Sequence, residues 1–379
     1  MLYYSISIKV DIMIRTYKYR LKPNKTQEQA LVDTLTKCCA LYNKCLEDRK
    51  FLWETQKESL SCFSQIKKIP TYNLDLSNVY SQVLQNVVAR VDNAYKGFFR
   101  RLKAGDKPGY PRFKSHNRYD SFCYPQTGFK LIDNNLKLSK IGIIPIRLHR
   151  NIPKDAIIKT CTIKRDIMNR WFVSFSLELP DVKFTYNNGK AIGIDVGCES
   201  FVTFSNGSKI QHPHYYKQSL DKLSKLQSRV DNLKNKKSKR YRKVKHTLNK
   251  LQLKIANQRN NFQHQLSRQI VDTYSTIFVE DLNIKGMTEN NYRNLNKSIM
   301  DSGWGHFLDM LSYKAEEAGK KVVKVNPAYT SQICSNCGTM VKKELSVRLH
   351  SCPTCKIELD RDVNAALNIL SFGTKLLNL

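Results

Sequence analysis

The heptapeptide AIGIDVG, residues 191–197, has the apolar composition of a short buried β-strand, and it carries an acid, Asp195, at the end of that strand. Glu280 stands in the same position after the apolar run STIFV, and Asp362 lies at the start of an amphipathic C-terminal helix. A carboxylate at the end of a buried strand is costly to desolvate unless a cation compensates its charge. Each acid taken alone is more often a helix cap, a loop acid or part of a structural ion pair than a catalytic group.

The elements around these acids follow an order that indicates the fold. The sequence predicts strands at 191–195, 201–204 and 208–211, a helical stretch at about 218–272, the strand STIFVEDL, a helix at about 300–318, the strand KVVKVN and a terminal helix. Three strands, helix, strand, helix, strand and helix is the order of an RNase H-like α/β fold. We therefore expect that fold in the C-terminal half of the chain.

An RNase H-like order lets Asp195, Glu280 and Asp362 converge on one spot. Three convergent carboxylates can hold two divalent ions about 3.5 to 4 Å apart, one activating water and the other stabilising the leaving 3′-oxygen of a phosphodiester. Mg²⁺ suits such a site because it prefers hard oxygen ligands. Three neighbouring acids could take the place of these three in the site, although their positions within the predicted strands and helix disfavour them: Glu199, Asp281 and Asp360.

The 11 cysteines are an odd number in a basic chain without an export signal, which argues against a secreted disulfide framework. Four of them form two Cys-x-x-Cys pairs at ribbon spacing, Cys334 with Cys337 and Cys352 with Cys355. Two such pairs predict one structural zinc ion with four thiolate ligands, and a redox pair is the weaker alternative. His350 could replace one ligand, although we expect it at the surface. The other seven are predicted core residues: Cys38, Cys39, Cys45, Cys62, Cys123, Cys161 and Cys198.

The N-terminal half alternates between β-rich and helical patterns. The strand-like run IRTYKYRLKP precedes an amphipathic helix, for which we expect a capping box at Thr26–Gln29. A second segment with helical periodicity comes next, and it is followed by short apolar runs that are separated by turn residues. The predicted division is an N-terminal extension (1–12), a β-barrel domain (13–23 and 104–182), a helical insertion (24–103), an RNase H-like domain (188–328 and 358–379) and a zinc ribbon (329–357).

The charge of the chain predicts a polyanionic partner. Lys and Arg number 64 against 32 Asp and Glu, which leaves a formal charge of +32. A predicted helical hairpin concentrates this charge in a run of cations without an acid. These are Lys234, Lys236, Lys237, Lys239, Arg240, Arg242, Lys243 and Lys245. We expect them to contact nucleic-acid phosphates, although a solvated helix face or a nuclear-localisation-like run is an alternative. No membrane-length apolar stretch or signal-peptide core is present, so we expect the protein to stay inside the cell.

Several blocks of the sequence resemble, in the same order, the TnpB proteins of bacterial insertion sequences and their Fanzor and compact type V CRISPR relatives. The blocks are YKYRLKPNKTQEQAL (17–31), LYNKCLEDR (41–49), GYPRFK (109–114), IGIDVG (192–197), VEDLNIKGM (279–287), NPAYTSQICSNCG (326–338) and ELDRDVNAALNIL (358–370). The resemblance runs from about Met13 to the C-terminus. It departs at Lys356, which replaces the glycine that usually follows the second cysteine pair, where the turn needs a positive φ.

The resemblance implies an RNA-guided DNA endonuclease with a RuvC-like domain, in which Asp195, Glu280 and Asp362 are the catalytic acids. It implies that a guide RNA from the transposable element pairs with one strand of a double-stranded DNA target, beside a short motif that the protein reads. The barrel and its insertion would hold the RNA and that motif, with Arg112 and Lys114 as further nucleic-acid contacts. Two alternatives stay open: a nuclease-inactive guided repressor, against which the intact acids count, and a recombinase or transposase that joins strands with the same site.

Overall fold

The structure is a computed structural model, and it describes residues 12–180, 189–289, 293–344 and 347–377. The predicted extension therefore lies outside the described residues apart from Ile12, and the predicted boundaries at 182 and 188 also fall outside them. The chain divides into two compact units, Met1–Asp181 and Val182–Leu379, which are described separately. Within the described ranges, no helix combines the length and the apolar character needed to cross a membrane.

The first unit contains a seven-stranded antiparallel sheet in the order β2-β6-β7-β1-β5-β4-β3. Its strands are β1 (Ile12–Leu21), β2 (Ser121–Tyr124), β3 (Phe129–Ile132), β4 (Asn135–Leu138), β5 (Gly142–Arg147), β6 (Ile157–Arg165) and β7 (Trp171–Pro180). No hydrogen-bonded ladder joins the end strands β2 and β3 in the described chain, so the predicted barrel is a near-closed one. Alternate residues of β7 are buried, as the apolar alternation of its sequence predicts.

The helices of this unit lie between β1 and β2 in the chain. They are α1 (Lys25–Gln56), α2 (Cys62–Lys67) and α3 (Ser81–Lys103), with a 3-10 helix at Ile69–Thr71. The expected capping box at Thr26–Gln29 is wrong, because Asn24 caps α1 instead. The Asn24 side chain accepts a hydrogen bond from the Gln27 backbone amide, and the Gln27 side chain accepts one from the Asn24 amide.

The second unit contains a five-stranded sheet in the order β10-β9-β8-β11-β12. Its strands are β8 (Ala191–Asp195), β9 (Ser200–Phe204), β10 (Lys209–Gln211), β11 (Thr276–Glu280) and β12 (Lys321–Val325). β11 is parallel to both β8 and β12, and β9 is antiparallel to β8 and β10. The predicted succession of strands is thus present, with the apolar strands β8 and β11 adjacent in the sheet.

The helices of the second unit include those that the sequence predicts and two short ones between Ile284 and Ser302 that it does not. They are α4 (Tyr215–Asp231), α5 (Lys239–Thr273), α6 (Ile284–Glu289), α7 (Arg293–Ser302), α8 (Trp304–Glu317) and α9 (Arg361–Leu376). The single helix expected at 300–318 is wrong, because the chain breaks at Gly303, whose φ is +63°. A small hairpin of β13 (Leu349–Ser351) and β14 (Glu358–Asp360) precedes α9.

Helix α9 packs directly against the backbone of β8 and against the Phe278 side chain of β11. A Cβ atom built on Gly193 of β8 would lie 2.2 Å from the Ala366 carbonyl oxygen and 2.7 Å from the Leu370 amide nitrogen. A Cβ atom on Gly373 would lie 2.0 Å from the Phe278 ring of β11. The two glycines therefore allow the helix to approach the sheet closely, and this approach positions the first turn of α9.

We predict that Gly193→Ala destabilises the protein, because the added methyl group must push the α9 backbone away from β8. Overpacking of this kind costs about 2 to 3 kcal/mol in the free energy of unfolding, which denaturant titration measures. Gly305→Ala in α8 is the matched control, since its nearest contact would be 3.5 Å away and alanine favours a helix by about 1 kcal/mol. Equal unfolding free energies for Gly193→Ala and the unaltered protein would contradict the close packing.

Candidate active site and metal centre

Asp195 and Glu280 lie side by side because they end two neighbouring parallel strands. Ile194 of β8 pairs with Val279 of β11, so the next residue of each strand is one of the two acids. Asp362 lies in the first turn of α9, one turn before the segment that contacts Gly193. The three acids singled out from the sequence therefore come from three elements that pack together.

The negative charges of Glu280 and Asp362 act on Asp195. The pKa of Asp195 is raised well above its usual value, chiefly by burial and then by the negative charges of Glu280 and Asp362, while Arg361 opposes the shift. Burial also raises the pKa of Glu280, and a hydrogen bond from the Thr330 hydroxyl opposes that shift. Like charges raise a pKa in this way when they lie close to it. The fold thus gathers negative charge that a cation would stabilise.

Two arginines already compensate part of this charge. Arg361 Nε donates a hydrogen bond to Asp362 Oδ1 at 3.3 Å. Arg348 lies between two acids, with one guanidinium nitrogen 3.6 Å from Asp362 Oδ2 and the other 3.1 Å from Glu199 Oε2. Arg348 is half exposed, so its ion pairs can be exchanged for other contacts at modest cost.

The alternative acids have structural partners of their own. Asp360 caps α9, because its Oδ1 atom accepts hydrogen bonds from two backbone amides of the first turn, and its Oδ2 atom lies 2.7 Å from Lys209 Nζ. Asp281 is exposed and lies 2.9 Å from Lys324 Nζ. These contacts account for both residues without a metal.

The four predicted zinc ligands form a compact cluster. The Sγ atoms of Cys334 and Cys355 lie 3.6 Å apart, as do those of Cys337 and Cys352, and all four lie within 4.8 Å of one another. A tetrahedral zinc ion with bonds of about 2.3 Å would set its sulfur ligands about 3.8 Å apart. The cluster therefore fits a zinc ion in both size and donor type. The three carboxylates do not form so compact a set.

The two cysteine turns share one backbone conformation. The Gly338 amide donates to the Cys334 carbonyl oxygen at 2.9 Å, and the Lys356 amide donates to the Cys352 carbonyl oxygen at 3.0 Å. Gly338 has a φ of +77° and Lys356 a φ of +62°. The positive φ expected at Lys356 is confirmed, so a lysine there adopts a conformation that favours glycine.

His350 is fully buried, so the expected surface position is wrong. It lies at the middle position of β13, whose side chain faces inward, and its Nδ1 atom contacts Lys343 Nζ. His350 is also absent from the cluster of possible metal ligands that the described residues form.

A chain of hydrogen bonds links Glu280 to the cysteine cluster. The Thr330 hydroxyl donates to Glu280 Oε1, and the Thr330 carbonyl oxygen accepts from Asn368 Nδ2 at 2.8 Å. One turn earlier on α9, Asn364 Oδ1 accepts from the Ser335 amide at 3.0 Å, next to the first cysteine ligand. The helix that carries Asp362 is therefore fastened to the first cysteine turn.

Sequence reasoning missed Thr330, Asn364, Asn368 and Arg348. The two asparagines had a detectable signal, since they stand four residues apart on an amphipathic helix and are both buried. Arg348 had none, because its partners are distant in the sequence.

The predicted basic hairpin consists of α4 and α5, which pack through a small core of their own. That core contains Leu223, Val230, Val244, Leu248 and Ile255. Seven of the eight predicted cations are exposed and Lys245 is half-buried, and none of the eight forms an ion pair within the part of the chain that the structure describes. Five of them lie in the first two turns of α5, where the helix dipole disfavours positive charge and no acid is present. This arrangement favours an anionic partner.

Arg112 and Lys114 are exposed in the first unit. The backbone of Lys114 is held by Asn43, which accepts from its amide and donates to its carbonyl oxygen, both at 2.8 Å. The Lys114 ammonium group lies 5.2 Å from the centre of the Tyr42 ring. Nucleic-acid binding by Arg112 and Lys114 stays a prediction.

Three protein-family models match parts of the chain. The model described as "Probable transposase" matches residues 174–291, and "Cas12f1-like, TNB domain" matches residues 304–369. A third, "Helix-turn-helix domain", matches residues 13–58, where the structure has the strand β1 and the single long helix α1.

Two curated relatives match almost the whole chain. A protein of Streptomyces pristinaespiralis named "Putative RNA-guided DNA endonuclease" is 32% identical, and the match covers 95% of this chain and 89% of the relative. "Putative RNA-guided DNA endonuclease InsQ" of Escherichia coli K12 is 29% identical, with 95% and 92% covered.

A solved structure supports the fold. The structure titled "Cryo-EM structure of the Cas12f1-sgRNA-target DNA complex" superposes with a TM-score of 0.60 at 15% identity, covering 91% of this chain and 83% of that one. At this identity the likeness concerns the fold alone. The near-full-length match at 32% identity shows that the chain belongs to the TnpB family.

Proposed function

We propose that this chain is an RNA-guided DNA endonuclease of a transposable element. It would hydrolyse DNA phosphodiesters through Asp195, Glu280 and Asp362, at sites that match a bound guide RNA and lie next to a short motif. The observation that carries this proposal is the parallel register of β8 and β11, which sets Asp195 beside Glu280, with Asp362 close enough for its charge to raise the pKa of Asp195. The names of the near-full-length relatives support the same activity.

The order of strands in the second unit supports a RuvC-like, RNase H-like assignment for this domain. Its carboxylate oxygens suit Mg²⁺, which would supply an activated water and stabilise the leaving 3′-oxygen of the cut strand. Thr330 would orient Glu280 through its hydroxyl group. Arg348 would release Asp362 when the site binds cations, because both compete for the same carboxylate oxygen.

We also propose zinc as the structural ion of the four-cysteine cluster, on the spacing of its sulfur atoms. With four thiolate ligands the ion has no open position for water, so its role is to hold residues 329–357 and, through Asn364 and Asn368, the start of α9.

The nucleic-acid partners would be a guide RNA from the element and its double-stranded DNA target. We assign the guide RNA and the adjacent motif to the barrel and its helical insertion, residues 13–182, and phosphate contacts to the basic hairpin. A nuclease-inactive repressor would not need three coupled acids, and a recombinase would yield joined strands instead of free 5′-phosphate ends.

We predict that Lys356→Gly strengthens zinc binding, because glycine adopts the positive φ of this turn without strain. The expected gain is about 1 kcal/mol, which corresponds to about a fivefold lower dissociation constant in a competition titration with a chromophoric chelator. Gly338→Lys is the matched change at the equivalent position of the first turn and should weaken binding by a similar factor. Tighter zinc binding by Gly338→Lys would refute the equivalence of the two turns.

We predict that Glu280→Gln abolishes DNA cleavage while binding of the guide RNA and target persists, because the substitution removes one of the three charges but keeps the shape of the side chain. A loss of at least about a thousandfold in the single-turnover rate is expected when a metal ligand is removed. Asp281→Asn, at the adjacent exposed acid, is the control and should cut at the normal rate. Cleavage by Glu280→Gln at the rate of this control would exclude the proposed site.

We predict that the basic hairpin contributes to the salt dependence of RNA binding. Replacing Lys236, Lys237, Lys239 and Arg240 with glutamine should reduce the slope of log K against log salt by about 3, since each phosphate contact contributes about 0.7 to 0.9. Fluorescence anisotropy with labelled guide RNA at several KCl concentrations measures the slope. Parallel lines for the variant and the unaltered protein would show that the hairpin does not contact the RNA.

A further inference from the structure

The first unit contains a cavity of about 480 Å³ beside α1 and α3. Its wall is largely aromatic, with Trp53, Tyr95, Phe98, Phe99 and Tyr110 contributing rings. A volume of this size is within the range of pockets that bind small organic groups, roughly 300 to 1,000 Å³.

The aromatic wall remains open to solvent in the folded chain. Trp53 is 53% exposed, Phe99 52% and Tyr110 40%. The Phe98 ring lies 5.2 Å from Phe99 and 5.4 Å from Tyr110, so neighbouring rings hold the wall in place. Large aromatic faces that stay exposed together usually mark a binding surface.

Arg49 gives the cavity a polar and positively charged element. This residue is 92% buried, since 8% of its surface is exposed. Its Nε atom donates to Gln65 Oε1 at 2.8 Å, and its Nη1 atom donates to Asp92 Oδ1 at 3.1 Å. Its Nη2 atom is buried and has no hydrogen-bond partner among the described residues. The guanidinium group also lies 5.4 Å from the centre of the Tyr95 ring, so Arg49 helps to hold this part of the aromatic wall in place.

Exposed cations continue along α3 beyond the cavity. Lys96 and the acids Asp92 and Glu58 line the cavity, and Lys96 Nζ lies 2.9 Å from Asp92 Oδ2. Further along the same helix, Arg100, Arg101 and Lys103 are exposed. No acid occurs in α3 after Asp92. Aromatic faces next to exposed cations are the combination that binds unstacked nucleotides, because the rings stack on the base and the cations contact its phosphates.

We propose that this cavity binds one unstacked nucleobase of a nucleic-acid strand. The base would stack on Trp53 and Phe99, and the flanking phosphates would lie at Lys96 and Arg100. The inference rests on the proposed function to the extent that it takes a nucleic acid as the partner. An aromatic side chain of a partner protein would fill the same volume, but it would leave Arg100, Arg101 and Lys103 without a counter-charge among the described residues.

Trp53 is a built-in reporter for the test. The chain has three tryptophans, and the other two, Trp171 and Trp304, are 2% and 4% exposed. Adenosine 5′-monophosphate should quench Trp53 fluorescence in the full-length protein with a saturable curve, whereas ribose 5-phosphate at equal ionic strength should not.

Phe99→Ala removes one wall of the cavity but keeps the reporter, and it should raise the dissociation constant for the nucleotide about tenfold, within the range for one lost stacking contact. Phe51→Ala is the matched control, because Phe51 is an equally exposed aromatic residue of α1 that does not line the cavity. If Phe99→Ala has an altered melting temperature, the double variant Lys96→Gln, Arg100→Gln tests the cations of α3 instead and should also weaken binding.

Three results would overturn the proposal. The first is quenching that rises linearly with nucleotide concentration and equally in all variants. The second is quenching by ribose 5-phosphate that is as strong as quenching by the nucleotide. The third is saturable quenching by p-cresol, a mimic of a protein side chain, with no quenching by the nucleotide. The measurement needs neither guide RNA nor DNA cleavage. Its failure is therefore distinguishable from failure of the proposed nuclease activity, which the Glu280→Gln experiment reports.

Discussion

Repulsion between Asp195, Glu280 and Asp362 is the constraint on which the second unit depends. Glu280 and Asp362, which raise the pKa of Asp195, remain close to it because rigid elements carry all three acids. The parallel register of β8 and β11 sets two of them side by side. The third depends on Gly193, whose missing side chain lets α9 contact the strand backbone. Bringing these negative charges together lowers the stability of the folded state at the proposed site, and the close packing of α9 on β8 offsets that loss.

The cysteine cluster belongs to the same arrangement. Asn364 and Asn368 of α9 bond to the backbone of the first cysteine turn, and Thr330 bonds to Glu280. A metal ion held by the four thiols would therefore stabilise the segment that positions two of the three acids. Such an ion would support the proposed catalysis through the backbone and would take no part in the chemistry itself.

Much of this arrangement was predictable because its signals are local. The acids follow apolar runs, the cysteine pairs have ribbon spacing, and the glycine missing at Lys356 indicated a strained turn that the structure contains. Predictions were wrong where two nearby residues could form the same local structure, or where residues distant in the sequence determine the conformation. Asn24 and Thr26 can both cap a helix, the break at Gly303 interrupts a continuous periodic pattern, and the position of His350 depends on which face of β13 the fold buries. The partners of Arg348 and the cavity beside Arg49 arise from tertiary packing, for which one sequence carries no signal.

The central claim is that the three coupled carboxylates form a metal site. Crystals of the protein soaked in Mn²⁺, a substitute for Mg²⁺ with a measurable anomalous signal, test it most directly. The account predicts an anomalous peak within bonding distance of Asp195 and Glu280, with Arg348 displaced from Asp362. A map in which manganese binds elsewhere, and Arg348 keeps its ion pair with Asp362, would contradict it.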